Sequence, residues 1–297
     1  MHHDALIIGG SFAGLSAALY IARARRSVAV IDSGSPRNRF AAHSHGFLTQ
    51  DGSAPDAMLA TARAQVAAYS TSRLHMGEAV GVERKPDGFA VTLATGDVLE
   101  STALVLAFGI SDELPSIPGL AERWGRSVLH CPYCHGFEFS GRRLGVLAVS
   151  PLSAHQVMLI AEWGPTTFYL NGTAAPDAAA LVELEKRGIA IEPQAVRALH
   201  GEGTSLSAIE LADGRMSAVD ALFLGPRNHL NSDIAQRLGC DTEELPLGRI
   251  IRTDAQKMTT VPGVYAAGDI TRGAHSVTFA CADGVTAAIG VHRALVF

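Results

Sequence analysis

The sequence predicts an α/β protein built from two Rossmann-like, three-layer ββα nucleotide-binding domains, the second inserted into the first. Three observations predict it. The chain opens on strand, glycine turn, helix, strand and acid. The same pattern recurs later in a degraded form, and the chain then closes on a segment of the first type. A length of 297 residues suits two domains at about 150 residues each. Apolar residues at 47% can fill two cores, which excludes a largely disordered chain. A formal charge of −5 gives no electrostatic footprint for nucleic acid.

The first unit starts with the apolar strand 5–8, followed by Gly9, Gly10 and Gly14 in the string IIGGSFAG. Leu15–Ala24 is Ala- and Leu-rich and reads as a helix, and the apolar strand Val28–Ile31 ends at Asp32. Glycines in such a turn let the backbone approach a pyrophosphate, and the helix start offers N–H groups to it. Asp32 suits a ribose hydroxyl pair. Ser11 takes the place of the middle glycine of the usual G-x-G-x-x-G. The polar stretch Arg37–Gly52 has no clear periodicity, and a loop of that length points to function. Its Arg37, Arg39, His43 and His45 are candidates to touch a bound dinucleotide, with a solvated loop as the alternative. Met58–Tyr69 reads as a scaffold helix. Phe89–Leu106 reads as a hairpin around Thr95-Gly96 that ends near Gly109.

The second unit repeats the first. Residues 144–171 align without gaps on residues 5–32. Gly9, Gly10 and Gly14 become Ala148, Val149 and Ser153, and Asp32 becomes Asn171. Ser150-Pro151 predicts a helix N-cap and first turn there. Leu206–Leu224 repeats the hairpin around Asp213-Gly214. Gly263–Asp269 then returns to the first type, a strand ending in Gly-Asp, and Val277–Leu295 reads as a closing helix. The domain expectation is therefore 1–113 for the first part of the nucleotide domain, 114–227 for the insert and 228–297 for the second part. The crossings fall in the turn-rich strings at Leu114–Gly119 and Gly225–Asn228.

The chemistry is written at the start of the insert, His130-Cys131-Pro132-Tyr133-Cys134-His135. Two cysteines three apart can close a small disulfide ring or both ligate a metal. Such a pair also favours a lowered thiol pKa, and only the thiolate attacks a disulfide. His130 and His135 flank the pair as proton carriers near neutral pH. A zinc site needs two more ligands, and the remaining Cys240 and Cys281 are single and distant. Redox chemistry is the preferred reading and no metal is expected; metal ligation, inert thiols and covalent haem attachment are the alternatives.

IIGGSFAG at the front, CPYC at 131–134 and GVYAAGDI near the end together resemble the low-molecular-weight thioredoxin reductase family and its FAD-dependent relatives, over nearly the whole chain. The resemblance implies a split FAD domain with a nicotinamide-type domain carrying the cysteine pair inserted into it. It implies FAD contacts at Gly9, Gly10, Ser11, Phe12, Ala13, Gly14, Asp32 and Ser33. Further contacts fall at Val80, Ala107, Gly109, Gly268 and Asp269, and at the helix start His275, Ser276 and Val277. Arg37, Arg39 and His45 join this cofactor set from the loop. Cys134 would lie closest to the flavin, Cys131 would exchange with substrate, and His135 or His130 would serve as the acid/base group.

The departures from that family shape the functional expectation. Ala148–Ser153 has lost the glycine fingerprint, and the string from Asn171 to Asp177 has no Lys or Arg for a 2′-phosphate. Both losses remove phosphate contacts and argue against NADPH. CPYCHG looks more like the gliotoxin-oxidase-like dithiol oxidases, which pass electrons from a substrate dithiol to FAD and oxygen. The preferred expectation is a dithiol oxidase acting on a small-molecule or peptide dithiol. The alternatives are an NAD(P)H- or ferredoxin-dependent disulfide reductase, with thioredoxin among its substrates, and a flavin-bound redox sensor. The opening lacks the pattern of a secretory signal, and the apolar run Ala103–Ile110 is too short to span a bilayer. The expected setting is cytoplasmic, away from membranes and nucleic acid, and the family expectation is a homodimer.

Overall fold

A computed structural model describes residues 2–297, and the chain divides into two compact units. Unit 1 runs to Arg39, resumes over Pro55–Ser111 and closes with Asn228–Phe297; unit 2 holds Phe40–Ala54 and Asp112–Arg227.

In chain order the first elements are β1 (His2–Ile8), α1 (Phe12–Arg23), β2 (Val28–Asp32), α2 (Pro55–Ala67) and β3 (Ser72–Met76). They are followed by β4 (Ala79–Lys85), β5 (Gly88–Leu93), β6 (Val98–Leu106) and β7 (Ile110–Asp112). The sheet order is β3-β2-β1-β6-β5-β4. Strands β3, β2, β1 and β6 run parallel, while β4 and β5 join antiparallel at the start of β6. Within β1, β2 and β6 the runs 5–8, 28–31 and 103–106 are apolar and buried because both faces of the sheet are covered there.

Unit 2 contains β8 (Val128–Leu129), α3 (Pro132–His135), β9 (Leu144–Leu147), α4 (Ser153–Ile160), β10 (Thr166–Tyr169), α5 (Ala178–Lys186) and β11 (Ala190–Glu192). Strands β12 (Val196–His200), β13 (Ala208–Leu211), β14 (Met216–Ala218) and β15 (Ala221–Phe223) complete it. A parallel sheet of order β11-β10-β9-β15-β8 is joined by an antiparallel trio β12-β13-β14. Tyr169, fully buried, ties the two sheets through its hydroxyl, 2.7 Å from the Ser217 hydroxyl.

The chain then returns to unit 1 with β16 (Asn228–Leu230), α6 (Ile234–Arg237), β17 (Thr242–Leu245), β18 (Gly248–Ile251), β19 (Val264–Ala266) and α7 (Val277–Val296). Strand β19 pairs parallel with the end of β6 and so extends the first sheet. Helix α7 is long and apolar enough to cross a bilayer by composition alone, but here it packs against α1. Gly284 makes that approach possible, because a Cβ there would lie 2.1 Å from the Ala13 carbonyl oxygen.

Two expectations differ from the structure. Residues 40–54, expected within the nucleotide domain, belong to unit 2. A bridge between Ser44 and Ser53 closes this loop on itself, and Phe40 packs where a Cβ on Gly125 would come within 2.7 Å of it. The second unit's helix starts at Ser153 rather than Pro151, with Leu152 at the cap. The Ser153 hydroxyl accepts the N–H groups of Val149 and Ser150 at 3.1 and 3.2 Å, so the turn is closed from inside the helix.

Candidate active site

In unit 1 the strand ends line up. Ile8 pairs with Ile31 and Leu106, and Ala266 pairs with Leu106. The segments leaving those strands therefore share one carboxyl edge: Gly9–Gly14, Asp32–Ser33, Ala107–Gly109 and Gly268–Asp269. Open α/β sheets bind nucleotides at this edge. The ladder is extended there by Gly9 N–H to Ile31 carbonyl, Ala107 N–H to Ile8 carbonyl and Ala267 N–H to Leu106 carbonyl, at 2.8, 2.8 and 2.9 Å.

The glycine turn is packed to the limit. Gly9 has φ +115°, and a Cβ there would lie 2.1 Å from the Ala107 carbonyl oxygen. A Cβ on Gly10 would lie 2.5 Å from the Asp32 side chain, and one on Gly14 would lie 1.8 Å from the Gly9 carbonyl oxygen. Ser11 caps α1 by backbone conformation alone, with no hydrogen bond from its side chain. The first turn of α1, including Phe12 and Ala13, thus keeps its N–H groups available for an anion. This cradle fits the pyrophosphate of a dinucleotide such as FAD.

The acids of the site are held by arginines. Asp32 accepts from the Gly34 N–H at 2.9 Å and from Arg63 Nη2 at 2.8 Å. Arg63 lies on α2, read from the sequence only as scaffold, so it was missed; an Ala-rich helix gives no signal for it. Arg37 Nη1 donates to Asp269 Oδ2 at 3.1 Å and to His275 Nδ1 at 2.8 Å. With Nδ1 accepting, His275 Nε2 donates to the Arg272 carbonyl at 3.0 Å, which defines its neutral tautomer. Ser276 caps α7, its hydroxyl accepting from Phe279 N–H at 3.1 Å, and Val277 opens that helix. Arg39 donates to the Pro36 carbonyl, and the Val80 carbonyl accepts from Arg237. Gly109, at φ +72°, accepts from Asn231 N–H through its carbonyl.

In unit 2 the cysteine segment leaves the carboxyl end of β8. Leu129 pairs with Phe223 on β15, and Phe223 pairs with Val146 on β9. His130-Cys131 and the turn Ala148–Ser153 therefore share one edge of that sheet. Gln156 on α4 donates to the His130 carbonyl at 3.1 Å and ties the two together. Cys131 caps the single turn α3, Pro132 opens it, and Cys134 lies one turn on. The Tyr133 ring meets Trp163 edge to face at 5.8 Å.

His135 ends α3 and is packed among charged neighbours. Burial holds its pKa below the usual imidazole value; the nearby His45 adds to that and Glu138 opposes it. The His45 ring stands perpendicular to the His135 ring at 6.2 Å, and His45 Nε2 lies 3.4 Å from Glu138 Oε1. His45, expected at the cofactor with Arg37 and Arg39, is thus placed in unit 2 beside the cysteine segment. The Ser44–Ser53 bridge turns its loop there, and no local sequence signal marks that route. Cys240 is buried and its thiol is pushed up by burial; Cys281 is pushed up likewise. Among the described residues no group of three His, Cys, Asp or Glu is arranged for a metal ion.

The family profile of the pyridine nucleotide-disulphide oxidoreductases matches residues 3–149 and 170–284. The chain belongs to that family. Across this family's curated members, the chain is 35% identical to "Thioredoxin reductase tcpT" of Claviceps purpurea over 90% of this chain and 86% of that protein. It is 31% identical to "Thioredoxin reductase aclD" of Aspergillus oryzae over 99% and 96%. The solved structure of an oxidoreductase from Agrobacterium tumefaciens superposes with a TM-score of 0.95 at 43% identity, covering 100% of this chain and 99% of that one. This oxidoreductase is thus an FAD-dependent, thioredoxin-reductase-like enzyme that acts through the Cys131/Cys134 pair, on two Rossmann-like domains.

Proposed function

We propose that this oxidoreductase relays an electron pair between FAD and a small-molecule or peptide thiol–disulfide substrate, with Cys131 exchanging with substrate and Cys134 with the flavin. The observation that carries the reading is the α3 turn, which sets the two cysteines one turn apart and ends on the half-buried His135. FAD supplies the two-electron acceptor or donor. The chain's own residues do the rest. Gly9–Gly14 take the pyrophosphate, Asp32 takes a ribose, and Asp269 with Arg37 holds the ribitol and phosphate side. His135 takes and returns the thiol proton, with His130 as the second imidazole.

The names of the relatives favour the reductase direction over the oxidase direction preferred from sequence, so disulfide reduction, with thioredoxin among the substrates, is the first reading. The oxidase direction keeps one specific observation in its favour. In the corresponding turn of unit 2, the Ser153 hydroxyl takes the N–H groups of Val149 and Ser150, the counterparts of Gly10 and Ser11. The turn that would hold a nicotinamide dinucleotide's pyrophosphate is satisfied internally. A dithiol would then supply the electrons and oxygen would accept them as hydrogen peroxide.

Anaerobic flavin reduction separates the two directions. The reductase reading expects fast bleaching of the FAD absorbance by NADPH or NADH. Bleaching by a dithiol alone, with peroxide on readmission of air, would replace it with the oxidase. Cys134→Ser should keep FAD and abolish turnover either way.

A further inference from the structure

We propose that His45 is a positioning residue for His135: set between Glu138 and Asp51, its imidazole stands perpendicular against the His135 ring and fixes the surroundings in which that ring handles a thiol proton. The inference rests on the reading of His135 as the group that handles this proton. Several observations carry it. His45 is brought into unit 2 by a loop from a distant part of the chain, pinned at its neck by the Ser44–Ser53 bridge. Its two ring nitrogens face two carboxylates, Nε2 toward Glu138 at 3.4 Å and Nδ1 toward Asp51 at 3.6 Å. Asp51 is itself fixed by the Gly46 N–H at 2.8 Å. The ring of His135 lies edge-on at 6.2 Å, and that of His43 tilts against His45 at 6.3 Å.

The groups facing His135 are thus Glu138 on its own following turn and His45 from the loop, with Asp51 and His43 behind His45. Burial disfavours a proton on His135, Glu138 favours it, and the His45 imidazole standing against the ring disfavours it. The chemistry then balances in thiol–disulfide exchange. His135 takes the proton of a substrate thiol. The thiolate attacks Cys131 Sγ of the Cys131–Cys134 disulfide, the S–S bond breaks, a mixed disulfide forms and Cys134 leaves as thiolate. His135 releases that proton to solvent and takes the proton of the second substrate thiol. This thiolate attacks the substrate sulfur of the mixed disulfide, the bond to Cys131 breaks and the substrate disulfide forms; Cys131 leaves as a thiolate that takes the proton from His135. In the reductase direction the same protons move the opposite way.

The test uses the FAD-loaded protein and two near-isosteric variants, His45→Gln and Glu138→Gln. NMR of the histidine ring carbons gives the His135 titration, and iodoacetamide alkylation of the reduced cysteine pair against pH gives the thiol profile. Removing the His45 imidazole should raise the His135 midpoint, and removing the Glu138 carboxylate should lower it. The acid limb of the alkylation profile should move with it, and flavin content should stay constant. Loss of flavin in His45→Gln with His135 unmoved would return His45 to the cofactor and overturn the proposal. Shifts of the same sign in both variants would overturn it too. A His135 shift without a matching alkylation shift would leave the His45 coupling standing and sink the acid/base reading of His135.

Discussion

Asp32 reaches the end of β2 by local sequence alone, but its carboxylate is aimed by Arg63, 31 residues further on. The two are partly buried, so their pairing is worth more than that of a solvated ion pair. With one oxygen on Gly34 N–H and the other on Arg63, the carboxylate is held in one orientation for the ribose contact proposed above. Arg63→Met should therefore loosen FAD about fivefold, or ~1 kcal/mol, read as flavin fluorescence released on dilution. Unchanged or tighter binding would mean that Arg63 competes with the ribose for Asp32. The contrast between these residues shows what a sequence can carry at this scale. The convergence of Gly9, Gly10, Gly14 and Asp32 on one turn was legible because their spacing along one strand–turn–helix unit is the signal. Arg63 and His45 were not, because each acts on a residue that only the fold brings near, and neither an Ala-rich helix nor an aperiodic loop announces its target.

At the scale of elements the same contrast appears between the two helix starts. The strand pairs β1/β2 and β9/β10, the hairpin β5/β6 and the closing α7 follow from apolar runs and turn residues, and the duplication is visible in their order. The start of α4 is not, because Ser-Pro is a strong local cap signal that the Ser153 hydroxyl overrides from within the helix. Helix α1 depends equally on a contact invisible to local reading, the approach of α7 at Gly284. A Cβ there would sit 2.1 Å from the Ala13 carbonyl oxygen and 3.1 Å from Ala17 N, backbone that cannot step aside alone. Gly284→Ala should force the helices apart at a cost of about 2 kcal/mol, and it should disturb the α1 turn that cradles the pyrophosphate. Thermal unfolding should drop by several degrees and flavin should be released more readily. A lowered Tm with normal flavin retention would show that α7 moves and α1 does not.

At the scale of the whole molecule, the insertion means that unit 1 is finished only when the chain returns after unit 2. That return is fastened by charge. Asp283 on α7, almost fully buried, pairs with Lys257 Nζ at 2.8 Å, from just before β19, and with Arg272 Nε at 2.8 Å, from just after the Gly268-Asp269 turn. Burial pushes the Asp283 carboxyl up, but the hydrogen bonds from Arg272 and Lys257 outweigh it and hold it below the usual aspartate value. A carboxylate depressed in the folded state contributes stability above its unfolded pKa of about 3.9, and that contribution is lost as pH falls through the folded value. Asp283→Asn removes the buried charge and leaves two half-buried cation partners uncompensated, which should cost about 2 kcal/mol at pH 7. Urea unfolding should show the full gap between the two proteins at neutral pH and a narrowing gap as the pH is taken below 4. A gap that stays constant through that range would mean that Asp283 contributes shape rather than charge. The return of the chain to unit 1 would then rest on the apolar packing of α7 against α1.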